Sequence, residues 1–246
     1  MYRAFFLALL VSADLAVADP IAPSSAAVSM DVAPTTLELV PGVPGLFYVS
    51  NHGAEATTVQ IEGFDWSQSD GRDSLTPSSD LLISPSEAMI APGARQLVRV
   101  LAPENIKERS FRLSVSQMPN TEDAAKAEAG SNNVVHLLLR FGVPVFASAQ
   151  SAISSPVLVW TAEQQESALL IKVRNDGPHT VKLANLSLRG KDDVTSYPDQ
   201  ANFVYVLPGA SHNFVFTRAP QSPGLRITAH DGRSGISIDA AIAPPH

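Results

Sequence analysis

LFYVSNHGAEATTVQI, residues 46–61, contains two strands and the turn between them. An apolar run breaks at Asn51-His52-Gly53, and the chain resumes with Thr-Val-Gln-Ile in apolar–polar alternation. Alternation at a period of two is the mark of a strand with one buried face, and Asn-x-Gly is a tight-turn signal. The same arrangement returns at LLIKVRNDGPHTVKLA (169–184), with Asn175-Asp176-Gly177 at the break. Farther along, MIAPGARQLVRV (89–100) is echoed by YVLPGASHNFVFT (205–217). Two motifs repeated in the same order predict two related all-β units in tandem.

The rest of the chain fits that frame. Short apolar or alternating runs such as TLELV (36–40), SFRLSVSQM (110–118), VLVW (157–160), LRITA (225–229) and ISIDA (236–240) are separated by Pro-Gly, Asp-Gly and Asn-x-Gly breakers. Most of the nineteen prolines and fourteen glycines fall between strands. This pattern predicts antiparallel β-sandwiches. Residues 122–130 (EDAAKAEAG) read as a loop, and ASAQSAISS (147–155) as a linker. The predicted organisation is a segment 1–18, a lead-in 19–27, a first sandwich 28–147, a linker 148–155 and a second sandwich 156–246.

Residues 1–18 have the layout of a secretory signal. Arg3 supplies a positive head, AFFLALLV (4–11) an apolar core, and Ala16-Val17-Ala18 a small-residue cleavage pattern. Cleavage near Asp19 removes Arg3 and Asp14, one charge of each sign, so the net charge of −7 is unchanged. Export by this route predicts a soluble, exported protein, with the periplasm as its expected location. No other run is long and apolar enough to insert in a membrane. Without cysteine, neither disulfides nor thiol chemistry is available, so each sandwich needs its own hydrophobic core. The acidic balance argues against nucleic acid as a partner.

A search for chemistry returns little. There is no Gly-x-Ser-x-Gly elbow, phosphate loop, His-Glu-x-x-His or dinucleotide fingerprint. The six histidines show no metal-ligand spacing. DWSQSDGRDSLT (65–76) imitates a calcium loop, but Gly71 comes one position late and Thr76 stands where a bidentate glutamate is needed. It reads instead as a solvated hairpin. The expectation is a protein that is not an enzyme and holds no cofactor or metal.

One stretch is out of character for an acidic exported chain: VVHLLLRFGVPVF (134–146), where only His136 and Arg140 are clearly polar. Together with PGARQLVRV (92–100) and KERSFRLSV (107–115), and with VAPTTLEL (32–39), VSNHG (49–53) and DWSQSDGRDSLTPSSDLLISPSE (65–87) upstream, it resembles the periplasmic pilus-assembly chaperones, in particular the branch serving archaic, spore-coat-U-type fimbriae. The resemblance runs from about Val28 to the end of the second unit. It implies two immunoglobulin-like domains arranged as a boomerang, and a chaperone that works without ATP.

The resemblance further implies that the last strand of the first domain is lent to a pilin subunit lacking a strand. This is β-augmentation, of which chaperone–pilin complementation is itself an established instance. Val135, Leu137, Leu139 and Phe141 match the donor positions and share one face. Val134, His136, Leu138 and Arg140 are then expected to face the domain's own sheet. Partners implied are pilin subunits and an outer-membrane usher that receives them, with self-capping of the free chaperone into an oligomer as a further possibility. Better-known members anchor the subunit's terminal carboxylate with two basic residues, and Pro34 and Pro144 stand at those positions. Arg112, then Arg140, are the candidate anchors, because carboxylate capture needs a cationic donor. A charged cluster between the domains maps onto Arg99, Glu108 and Asp231. The competing reading is a structural pilin or surface adhesin made of two sandwiches. Against it, the lead-in 19–27 lacks the alternating apolar residues of a polymerising extension.

Overall fold

The computed structural model describes residues 30–104, 107–119, 137–149, 154–166, 168–190, 194–196, 203–217 and 224–242. The expected signal and lead-in, the loop 122–130, the middle of the linker, and Val134, Val135 and His136 lie outside the described residues. No helix is present among the described residues; every regular element is a strand.

The first unit contains β1 (Met30–Ala33), β2 (Leu37–Leu39), β3 (Gly45–Asn51), β4 (Thr57–Ser69), β5 (Arg72–Pro77), β6 (Leu82–Ser84), β7 (Glu87–Ile90), β8 (Arg95–Leu101), β9 (Arg109–Gln117) and β10 (Arg140–Ala147). One sheet has the order β1-β3-β8-β6; the other runs β2-β10-β9-β4-β5, with β7 also on β4. The second unit contains β11 (Leu158–Gln164), β12 (Leu169–Asn175), β13 (Val181–Arg189), β14 (Val194–Ser196), β15 (Phe203–Val206), β16 (Ser211–Phe216), β17 (Arg226–Asp231) and β18 (Ser237–Ala241). Its sheets are β11-β12-β16 and β14-β13-β17-β18, with β15 on β13. The all-β, two-sandwich expectation holds.

Alternation builds the cores. Phe47, Val49, Val59, Ile61, Val98, Val100, Phe111, Leu113 and Val115 are buried in the first sandwich. Ile171, Val173, Leu188, Val206, Phe214, Phe216 and Ile227 are buried in the second. Each such side chain contributes roughly 1.5–3 kcal/mol, which is how a chain without disulfides stabilises two small domains.

The repeated Asn-x-Gly motif is repeated in hydrogen bonding as well. Asn51 Nδ2 donates to the carbonyls of Glu55 and Ile90, and its Oδ1 accepts from Gly53 N–H. Asn175 Nδ2 donates to the carbonyls of His179 and Val206, and its Oδ1 accepts from Gly177 N–H. Gly93 and Gly209, at the positive φ their Pro-Gly turns need, donate to the backbone carbonyls of Asn51 and Asn175. Both asparagines are almost fully buried, so each knits a strand end to a distant turn without leaving a polar group unpaired.

Candidate functional site

The strand β10 is lined on one side by β9 over its whole length, from Arg140↔Ser116 to Ala147↔Arg109. On its other side β2 pairs in parallel, and only with Val145, Phe146 and Ala147. From Arg140 to Val143 the second edge has no strand partner among the described residues.

The side-chain rows of β10 differ from the sequence expectation. Val143, Val145 and Ala147 are buried in the first core, and Phe141 and Leu139 pack against that core while partly buried. Leu137, next in the same row, is 75 % exposed. Arg140 and Gly142 lie on the opposite, exposed face. The expectation that Leu138 and Arg140 face the domain's own sheet is therefore corrected: the row containing Leu137, Leu139 and Phe141 is the inward one. Burial of Val143 and Val145 sets the parity, and the period of two carries it back along the strand. An apolar row that begins as core thus runs out of the sandwich and ends in solvent.

A cleft of about 690 Å³ lies between the two domains beside this strand. Arg112, Gly142, Pro144 and Trp66 line its first-domain wall; Lys182, Phe203, Tyr205 and His212 line the other. Arg112 stands on β9 opposite Pro144. Its guanidinium lies 4.0 Å from the centre of the Trp66 ring, and its Nη2 is 3.5 Å from Asp73 Oδ2. Its Nε is buried without a hydrogen-bond partner. Lys182 Nζ sits 4.2 Å from the centre of the Phe203 ring. Both cations rest on aromatic faces, which stabilise a charge without consuming its hydrogen-bonding capacity. Arg140, the second candidate anchor, lies on the exposed face of β10 and donates from Nε to Ser116 Oγ at 2.9 Å.

The domains meet through buried charge. Glu108, just before β9, has a fully buried side chain, and its Oε1 accepts from Thr180 N–H at 2.7 Å. Arg233 donates to both of its oxygens, at 3.1 and 2.9 Å, and to both oxygens of Glu38 on β2. His179 Nδ1 lies 3.2 Å from Glu108 Oε2. Burial favours a neutral Arg233, but the hydrogen bonds to Glu38 and Glu108 outweigh it and raise its pKa. Asp231 acts one step back. Its carboxylate accepts from the backbone N–H groups of Lys182 and Arg233 and from the Ser234 hydroxyl, shaping the turn that presents Arg233.

Of the three residues expected in this cluster, the structure brings Glu108 and Asp231 to one place and leaves Arg99 out. Arg99 is exposed on β8, beside Leu46 and Ser84 in the ladder. Arg233 holds the central position, and the signal for it was the Asp231-Gly232-Arg233 turn itself.

The β4–β5 hairpin is exposed along all of β5, as expected, and through Trp66 and Gln68 of β4 it also reaches the second domain. Gln68 donates from Nε2 to the Tyr205 carbonyl and accepts at Oε1 from Leu207 N–H, both at 2.9 Å. Trp66, Phe146 and Tyr205 form an aromatic cluster between the domains, with ring centroids 5.4–6.0 Å apart. The described residues contain no group of histidine or acidic side chains placed to hold a metal ion.

Residues 44–151 match the family model described as pili and flagellar-assembly chaperone, PapD N-terminal domain. Solved structures extend the likeness over both domains. A chain of the CsuC–CsuE chaperone–tip adhesion subunit pre-assembly complex, from the archaic chaperone–usher Csu pili of Acinetobacter baumannii, is 22 % identical, with 87 % of this chain and 97 % of that chain covered and a TM-score of 0.66. The YadV chaperone is 12 % identical, covering 87 % and 98 %, at a TM-score of 0.62. A chain of the Salmonella enterica SafA pilin–SafB chaperone complex is 16 % identical, covering 87 % and 96 %, at 0.60. No curated protein matches the chain. At these identities the solved structures establish the fold.

Proposed function

We propose that this chain, whose first domain belongs to the pili and flagellar-assembly chaperone family, is a periplasmic, ATP-independent chaperone that caps pilin subunits with β10 and passes them to an outer-membrane usher. The observation that carries the proposal is the row Val143, Phe141, Leu139, Leu137, which runs from core to solvent along a strand with an open edge. Such an edge is ordinarily a liability. Here it suits a partner that lacks a strand: the partner's edge pairs with the backbone of β10 while its groove takes the side chains.

The energetics are modest and reversible. Burying Leu137 from its exposed state is worth about 2 kcal/mol, and Leu139 and Phe141, already partly covered, add less. That is enough to hold a subunit with backbone pairing, and small enough that a better-fitting segment of the next subunit displaces it without ATP. The cleft supplies an electrostatic complement. Arg112 with Lys182 offers a subunit's terminal carboxylate two cations from opposite walls, and charge-assisted bonds of this kind are the strong ones. Arg112 is preferred to Arg140 because it lies in the cleft. Residues 1–18 would direct the chain to the periplasm and be removed there.

The experiment is retention of the subunit in periplasmic extracts. Leu137→Glu and Leu137→Glu/Leu139→Glu chaperones should fold yet lose the co-purifying subunit. Undiminished recovery with the double variant would remove β10 from the donor role.

A further inference from the structure

Hydrogen bonding on the β9 side of β10 settles which of its backbone groups face the open edge. Gln117 N–H donates to the Leu139 carbonyl at 2.8 Å, which makes Leu139 and Gln117 a hydrogen-bonded pair of the antiparallel ladder. In such a ladder these pairs alternate with pairs whose N–H and C=O turn outward. Phe141 and Val143 therefore direct their peptide groups at β9, and Arg140, Gly142 and Pro144 direct theirs at the other edge. Ser148 has the same parity, and its N–H donates to the Leu39 carbonyl of β2 at 3.0 Å.

Leu138 has the same parity as Arg140, so the open edge runs back at least to Leu138, and its closed end lies toward Pro144. Arg140 and Gly142 each present an N–H and a C=O. Pro144 presents neither group: proline has no N–H, and the parallel pairing of Val145 with Leu37 gives its C=O to the Leu37 N–H. Immediately beyond, β2 occupies the edge from Val145. Two features thus end the open edge at one point, and that point opens on the cleft, which Gly142, Pro144 and Arg112 line together. Gly142 leaves the approach to Arg112 clear: even a Cβ there would lie 3.6 Å from Arg112 Cδ, and a longer side chain would cover the guanidinium.

We infer that Pro144 is a register stop: it ends the ladder of an added subunit strand at Gly142 and so delivers the end of that strand to Arg112. The inference rests on the strand-lending function proposed above and assigns a positioning role to a residue that packs as an ordinary strand proline. A strand shifted by two residues keeps its apolar face inward, so side-chain parity alone does not choose among such registers. A missing donor at a defined position does.

The absence of cysteine makes the register measurable. The probe is the subunit that co-purifies from the native periplasm, identified by mass spectrometry and re-expressed with single cysteines stepped along its edge strand. It is cross-linked to Arg140→Cys chaperone. In the parent background one subunit position should dominate. Pro144→Ala restores an N–H at the open edge and should spread cross-linking to a second position two residues away. Gly142→Pro shortens the open edge and should move the dominant position by two residues toward the start of β10. Melting temperatures within a few degrees of the parent establish that both variants fold. One unchanged position in all three backgrounds overturns the register stop while leaving strand lending intact. A parent that retains the subunit yet cross-links nowhere overturns strand lending at this edge, and the register stop with it.

Discussion

Glu108 and Arg233 meet across the domain boundary with Oε2 and Nη2 2.9 Å apart and side chains 0 % and 4 % exposed. Two full charges are rarely hidden this completely unless each neutralises the other. Their partners are unequal. Glu38, the second carboxylate on Arg233, is half-exposed, so solvent already screens that contact.

Removing one member of the buried pair should cost far more than removing the exposed one. Arg233→Ala strands Glu108 and is expected to destabilise the chain by about 3–5 kcal/mol, whereas Glu38→Ala should cost about 1 kcal/mol or less. Chemical denaturation with probes on both domains, Trp66 and Trp160, measures both. Equal costs for the two variants would show that the burial of Glu108 does not govern the joint.

Arg112→Ala should lower subunit affinity by at least tenfold with little change in melting temperature, because its ion pair with Asp73 is long and its main contact, the Trp66 ring, is worth about 1 kcal/mol. Lys182→Ala should weaken binding in the same sense. Isothermal titration with the purified subunit is the measurement, and a subunit whose C-terminus is amidated should be indifferent to both substitutions. If Arg112→Ala binds as the parent does, Arg140 becomes the residue to replace.

Asn51→Ala and Asn175→Ala should each destabilise their own domain by about 2–4 kcal/mol, since Asn175 holds two buried carbonyls and a buried N–H, and Asn51 one buried carbonyl with a part-buried carbonyl and N–H. The shared pattern predicts losses of the same kind, the larger at Asn175, where all three partners are buried. Domain-resolved hydrogen exchange would reveal whether each loss stays in its own sandwich.

Asp31 is held below the ordinary carboxylate value of 3.8, chiefly by its hydrogen bond from His52. A lowered folded pKa means stability that is fully present above the unfolded value near pH 4 and is lost as pH falls through the folded value. His52→Ala should raise the Asp31 titration midpoint, followed by NMR, and remove that increment. Both side chains are about half-exposed, so the effect on stability should stay below about 1 kcal/mol.

Much of this architecture is readable in the residues. The Asn-x-Gly repeats announce two equivalent sandwiches because the same turn chemistry recurs between the same pair of strands in each half. The apolar row of β10 is evident from its period, and Arg112 could be picked out from its place on the strand before it. What the pattern cannot reveal is which row points inward. A period of two says that Leu137, Leu139 and Phe141 share a face, and only packing of Val143 and Val145 against the first core says which face that is.

Strands, turns and the tandem arrangement are written in the order of the residues, because they follow from alternation and turn chemistry within a few positions of chain. The joint and the open edge are not. Arg233 rather than Arg99 meets Glu108 because a turn of the second domain, shaped by Asp231, arrives opposite that carboxylate. The open edge of β10 ends at Pro144 because β2, more than a hundred residues earlier in the chain, takes the next place in the sheet. Both depend on contacts between distant segments, and those contacts are set by the packing of two completed sandwiches.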